Sequence, residues 1–100
     1  MSRTNFVARD GRQLEDLISV GPAMRRDFER LGVRTVKQLA GANPRRLHQR
    51  LCRLTGERQD PCVLDVFEAA VAQARNPLLP VEKSVWWYWS RKRKAPRAAR

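Results

Sequence analysis

Ser19-Val20-Gly21-Pro22, followed by Arg25 and Arg26, is the stretch of this 100-residue chain with the clearest capacity for chemistry. Glycine takes a positive φ at little cost, so Gly21 is expected to make a tight turn. Proline's fixed φ and missing N–H suit the first position of a helix, which places a helix start at Pro22. The N–H groups of a first helical turn have no intrahelical acceptor and carry the positive end of the helix dipole. The backbone from Ser19 and Val20 through Gly21 and Ala23 to Met24 is therefore a candidate anion cradle, with Arg25 or Arg26 neutralising the bound charge. The plain alternative is a Gly-Pro turn between two helices that binds nothing.

Three further groupings have the residue types for a site. Arg46, Arg50 and Arg53 stand at i, i+4 and i+7, with Arg45 and Arg58 nearby, and only Glu57 offsets these five arginines. Such a face attracts phosphates, although most charge runs are simply solvated. His48, Cys52 and Cys62 sketch three zinc ligands without an evident fourth; Asp60 is the one other candidate. No pair has the short Cys-x2-Cys spacing, and free cysteine is most often a small buried hydrophobe, so core packing is the favoured role and no metal or other cofactor is expected. Last, Trp86, Trp87 and Trp89 precede the basic run Arg91-Lys92-Arg93-Lys94. Aromatics beside cations stack on single-stranded bases, lie at a membrane interface or bind a protein partner; in a small domain they also lid a thin core, the favoured role for two of the three. With one histidine, no Gly-rich loop bearing a lysine and no carboxylate cluster, the chain carries no credible catalytic set and is not expected to be an enzyme.

The elements that must position these groups are helical. Leu14, Leu17 and Ile18 have the i, i+3, i+4 spacing of one helix face, which predicts a short first helix from about Gln13 to Ile18. A second runs from Pro22 to Leu31, where Gly32 stops it. Thr35 and Gln38 form a capping-box pattern that opens a short third helix, Val36 to Ala40. Asn43-Pro44 opens a fourth, running to about Leu54 with a Leu47, Leu51, Leu54 stripe. Asp60-Pro61 opens a fifth, closed by Asn76-Pro77; its apolar residues cover more than half its circumference, so it is expected to be the central one. Four neighbouring aromatics at 86–89 cannot all face one way, so this segment is given no regular element.

The chain has length for one modest core. Its net charge is +11, with 21 Lys+Arg against 10 Asp+Glu. Six basic residues and no acid follow from Arg91 onward, which leaves positions 1–90 at +5. That balance favours an anionic partner, nucleic acid before a membrane surface. No apolar run approaches the roughly 20 residues that span a bilayer, no membrane association is expected, and the N-terminus lacks an apolar signal core. Two cysteines without such a signal point to reduced thiols and a cytoplasmic location.

The turn at 19–22 resembles the helix-hairpin-helix motif, a reader of the DNA backbone whose usual turn is Gly-apolar-Gly; here Ser19 stands at the first glycine. From about Leu14 to Trp89 the chain is similar to the small bacterial pathogenicity-locus family, some of whose members carry a mitomycin-resistance label. The resemblance rests on Ile18-Ser-Val-Gly-Pro22, Leu31-Gly32-Val33, Leu47-x3-Leu51-Cys52, Gln59-Asp60-Pro61-Cys62-Val63 and Trp86-Trp87-Tyr88-Trp89. It implies an all-α fold: a five-helix bundle of double helix-hairpin-helix (SAM-like) type with a degenerate second hairpin at 54–61 and flexible termini. The expected divisions are an arm at 1–11 with Phe6 docking on the core, a domain at 12–76, a Trp-rich segment at 77–90 that packs on it, and a disordered basic tail at 91–100. The expected function is sequence-tolerant binding to duplex or branched DNA through Ser19, Val20, Gly21, Ala23, Arg25, Arg26, Arg46, Arg50 and Arg53. The alternative is a protein-interaction adaptor that uses the bundle and the Trp cluster and binds no DNA.

Overall fold

The computed structural model describes residues 11–95. The expectations for the arm at 1–10, including Phe6, and for 96–100 lie outside the described residues. Five α-helices follow one another: α1 (Pro22–Arg30), α2 (Val36–Ala40), α3 (Pro44–Thr55), α4 (Pro61–Arg75) and α5 (Trp86–Lys94). Single 3-10 turns sit at Leu14–Asp16 and Val81–Lys83, and there is no strand among the described residues. The chain is all-α.

Three helix starts sit where their capping residues require. The Thr35 hydroxyl accepts from the Gln38 N–H at 3.0 Å, and the Gln38 amide oxygen accepts from the N–H groups of Arg34 and Thr35. Asn43 accepts from the N–H groups of Arg45 and Arg46, and Asp60 from that of Cys62 at 2.7 Å. Each bond satisfies a donor that the helix itself leaves open. Gly32 (φ 82°) follows α1 and Gly56 (φ 71°) follows α3, both in the left-handed region that glycine adopts without strain.

α4 is the centre of the molecule, packed against α2, α3 and α5. Phe67, Ala69, Ala70 and Val71 are fully enclosed on it. Phe28 of α1 stacks on Phe67 with ring centroids 5.2 Å apart, and Leu39, Leu47 and Leu51 complete the core from α2 and α3. Leu54, the last residue of the predicted stripe, points to solvent, as does part of Ile18.

Two elements depart from the sequence reading. The predicted first helix is only the 3-10 turn Leu14–Asp16. A segment this short takes the conformation that its tertiary contacts dictate. Leu14 and Leu17 still enter the core, but the backbone of Ile18 bonds to Gln73 of α4 and not to a preceding turn. The second departure is α5. The aromatic run and the basic run form one helix, so Arg91 to Lys94, expected as the start of a disordered tail, are its last turn. Asp65, buried on α4, ties this last turn down: its two carboxylate oxygens accept from Arg93 Nε and an Nη at 2.9 Å each. A planar guanidinium matches a carboxylate in this two-bond geometry, and a buried carboxylate needs such a partner. The bond also pushes the Arg93 guanidinium further up in pKa.

Candidate nucleic-acid interface

The turn between Leu17 and Pro22 is built around a buried plug. Val20 is in the core, flanked by half-exposed Ser19 and exposed Gly21. The left-handed residue is Ser19, at φ 75°, and not Gly21, which is extended at φ −98° and ψ −173° as the N-cap of α1. The expected role of Gly21 in the turn therefore passes to Ser19. What glycine provides at 21 is space: a Cβ there would have no heavy atom within 4 Å. The surface above this backbone is open to close approach.

Unpaired donors lie along this backbone. Among the described residues, the N–H groups of Ser19, Gly21, Ala23 and Met24 have no protein acceptor; the first helical bond is from the Arg25 N–H to the Gly21 carbonyl at 2.9 Å. Pro22 contributes no N–H. Unpaired backbone donors at a helix N-terminus are suited to an anion.

The turn is fixed from below. The Gln73 side chain accepts from the Ile18 N–H at 2.8 Å and donates to the Ile18 carbonyl at 2.9 Å. The same amide nitrogen lies 3.1 Å from the Ala69 carbonyl and 3.2 Å from the Ser84 carbonyl. Gln73 is buried, so one polar side chain ties the turn, α4 and the segment before α5 together. Arg12 adds a bond from its guanidinium to the Gln73 carbonyl at 3.0 Å. Sequence periodicity gives Gln73 no special standing.

The two arginines of α1 differ. Arg25 is committed, 3.1 Å from Glu15 and 3.2 Å from Glu29. It braces the 3-10 turn against α1, so it is a poor first choice for neutralising a bound anion. Arg26 is exposed and has no acidic partner among the described residues. On α3, Arg46, Arg50 and Arg53 are likewise exposed, with no carboxylate within ion-pair distance among the described residues. They form a second cationic surface, on a different helix from the turn.

The thiols make no ligand cluster. Among the described residues no three His, Cys, Asp or Glu side chains are grouped to hold a metal. Both cysteines are free and half-buried. Cys52 Sγ accepts from the Gln59 N–H at 3.3 Å, and a His48 ring nitrogen lies 3.4 Å from the Asp60 carbonyl; both brace the loop between α3 and α4. The Cys62 N–H holds the Asp60 carboxyl below its usual pKa, while hydrogen bonding to Asp60 raises the Cys62 thiol.

The aromatics divide between packing and exposure. Trp86 meets Trp87, and Tyr88 meets Trp89, each edge to face. The Trp89 N–H donates to the Lys83 carbonyl at 2.9 Å, and Trp87 is half exposed. No helix among the described residues is long and apolar enough to cross a membrane.

Known proteins add the kinship. Mitomycin resistance protein McrB of Streptomyces lavendulae is 39% identical over 89 residues, covering 89% of this chain and 81% of that protein. No solved structure matches. A family model described as pathogenicity locus matches residues 8–95, which include every described residue and both departures from the predicted elements. The chain belongs to the pathogenicity locus family.

Proposed function

We propose that this chain is a DNA-binding domain of the double helix-hairpin-helix type that grips the phosphate backbone without reading sequence. Leu14–Arg30 is the first hairpin, the loop between α3 and α4 is a degenerate second one, and α2 connects them. The observation that carries the reading is the set of unpaired N–H groups at Gly21, Ala23 and Met24, beneath open space at Gly21 and beside unpaired Arg26. A phosphate oxygen in that space would meet several donors and a cation at once. Arg46, Arg50 and Arg53 extend the cationic surface, and the net charge of +11 supplies long-range attraction. Phosphate contacts position a protein but carry no base information, so binding is sequence-tolerant and the domain itself performs no catalytic step. Reduced thiols and a cytoplasmic setting fit this role.

The test is a salt-titrated anisotropy assay with duplex and branched DNA. Affinity should fall steeply between about 50 and 200 mM salt, with little change between unrelated sequences. Arg26→Ala should weaken binding to every sequence alike and reduce the salt slope by about one. An Arg26→Ala chain that binds as wild type, with an unchanged slope, removes the hairpin from the interface. Failure of the wild-type chain to bind DNA at any salt favours the adaptor reading, for which half-exposed Trp87 is the natural contact.

A further inference from the structure

Helical register divides α5 into two sides. Ser90 and Arg93 share the side that packs on α4: Ser90 is buried, and Arg93 bonds to Asp65. Trp87, Arg91 and Lys94 stand at i, i+4 and i+7, so they share another side, and all three are exposed. The α-helix rises about 1.5 Å per residue, which sets Arg91 about 6 Å and Lys94 about 10 Å beyond Trp87 along the axis.

Each member of this row is uncommitted. Trp87 meets Trp86 edge to face, with centroids 6.0 Å apart and an interplanar angle of 83°. That contact covers at most one face of the Trp87 ring, and the residue is half exposed. Its indole N–H has no acceptor among the described residues. Arg91 makes no ion pair or side-chain bond among them. Lys94 is bonded to no carboxylate there, although it acts on that of Asp60 through space. α5 itself carries no acid.

An open aromatic face calls for a flat ring, and two cations further along one helix side call for a row of anions. A single nucleic-acid strand supplies both, whereas in a duplex each base face is covered by its neighbour. A membrane-surface helix needs a broad apolar face, but Trp87 is followed on its side by Arg91 and Lys94. An acidic peptide would answer the cations and leave the ring unused.

We propose that the Trp87, Arg91 and Lys94 side of α5 holds an unpaired DNA strand, with a base stacked on Trp87 and phosphates at Arg91 and Lys94. The choice of DNA rests on the proposed backbone-gripping role, but the strand site shares no residue with the hairpin or with α3. A domain with both surfaces favours a forked duplex over a blunt one.

The test is anisotropy binding of the full chain to a blunt duplex, the same duplex with long thymidine arms, and single-stranded oligothymidylate, with tryptophan fluorescence in parallel. The fork should bind about tenfold or more tighter than the blunt duplex, and the single strand should quench the fluorescence. Trp87→Ala should abolish the fork preference and leave the blunt duplex unchanged. Trp87→Phe, which retains a ring, should keep most of the preference while losing most of the quench. Arg91→Ala should lower the single-strand salt slope by about 0.7. Unchanged circular dichroism of Trp87→Phe and Arg91→Ala keeps the test valid should Trp87→Ala unfold. Loss of the blunt duplex alone, with the single strand still bound, refutes the hairpin and supports the α5 site. Equal binding of fork and blunt duplex, preference retained by Trp87→Ala, tighter binding of oligouridylate or of phosphatidylglycerol vesicles than of oligothymidylate, or no saturable binding of the single strand would each overturn the proposal.

Discussion

Gln73 holds Ile18 by both of its backbone groups, accepting from its N–H at 2.8 Å and donating to its carbonyl at 2.9 Å across 55 positions of sequence. A side-chain amide here substitutes for a strand or helix partner. It lets a segment too short for regular structure sit at a fixed height above α4. Gln73→Leu keeps similar bulk and removes every side-chain bond. Part of the loss falls on the buried carbonyls of Ala69 and Ser84, part on Ile18, which water reaches. The expected cost is about 2 kcal/mol, or a melting temperature lower by about 10 °C. Amide exchange at Ile18 should accelerate more than exchange in α3.

The two exceptional backbone positions make opposite predictions. Ser19 occupies the left-handed region, where a side chain costs roughly 1 kcal/mol. Ser19→Gly removes that cost and adds unfolded-state freedom of similar size, so its stability should stay within about 0.5 kcal/mol of wild type. Ser19→Val, β-branched at positive φ, should lose more than about 1 kcal/mol by urea unfolding. Gly21→Ala meets neither bad φ nor a neighbour, so the fold should survive with a loss under about 1 kcal/mol, reflecting only the poorer N-cap. If phosphate approaches this backbone, the same added methyl should lower DNA affinity several-fold. A Gly21→Ala chain with full affinity would place the phosphate elsewhere.

Arg93 and Arg91 lie two residues apart and should behave differently. Arg93→Ala leaves the carboxylate of Asp65, 1% exposed, without its partner, and a buried charge stripped of its partner is strongly destabilising. Arg91 is exposed with no ion pair among the described residues. Thermal melts should show a clear loss for Arg93→Ala and almost none for Arg91→Ala. Circular dichroism of Arg93→Ala should also lose helix, because α5 is the element released.

The Asp60 cap predicts an acid limb. Its carboxyl sits below the usual value of 3.8, chiefly because the Cys62 N–H donates to it, so the folded state binds that proton less readily than the unfolded chain. The contribution is complete above the ordinary value and is lost as pH falls through the lower, folded one. Asn caps equally well without titrating. The difference in melting temperature between wild type and Asp60→Asn should therefore move in favour of the variant as pH falls from about 6 to about 2. A constant difference across that range would rule out the cap as a source of acid sensitivity.

What could be read from the sequence was local. Asn43-Pro44, Asp60-Pro61 and the Thr35–Gln38 box each encode a helix start within a few residues, and the three helices begin there. Centrality of α4 was legible from its breadth of apolar positions. What escaped the reading depends on partners distant in sequence. Asp65 looks like an ordinary helical acid until Arg93, 28 positions on, closes over it. α5 has no apolar stripe, so periodicity could not reveal it; it packs along α4 and is tied there by the pairing with Asp65. Within the candidate interface, glycine and proline gave the place of the turn. They misassigned its strained residue, because Ser at 19 hides a left-handed conformation that Gly would have announced. They could not say that Glu15 and Glu29 occupy Arg25 and leave Arg26 open.

The bond between Gln73 and Ile18 also sets an order of events in time. A ribosome releases Leu14 to Arg30 long before it has made Gln73, and the anchor for Ile18 does not exist until most of α4 has emerged. Throughout synthesis of the first three-quarters of the chain, Ser19 has no reason to hold its strained conformation and the donors at Gly21, Ala23 and Met24 have no fixed aim. The residues of the turn are thus made early, and the surface they form is shaped late.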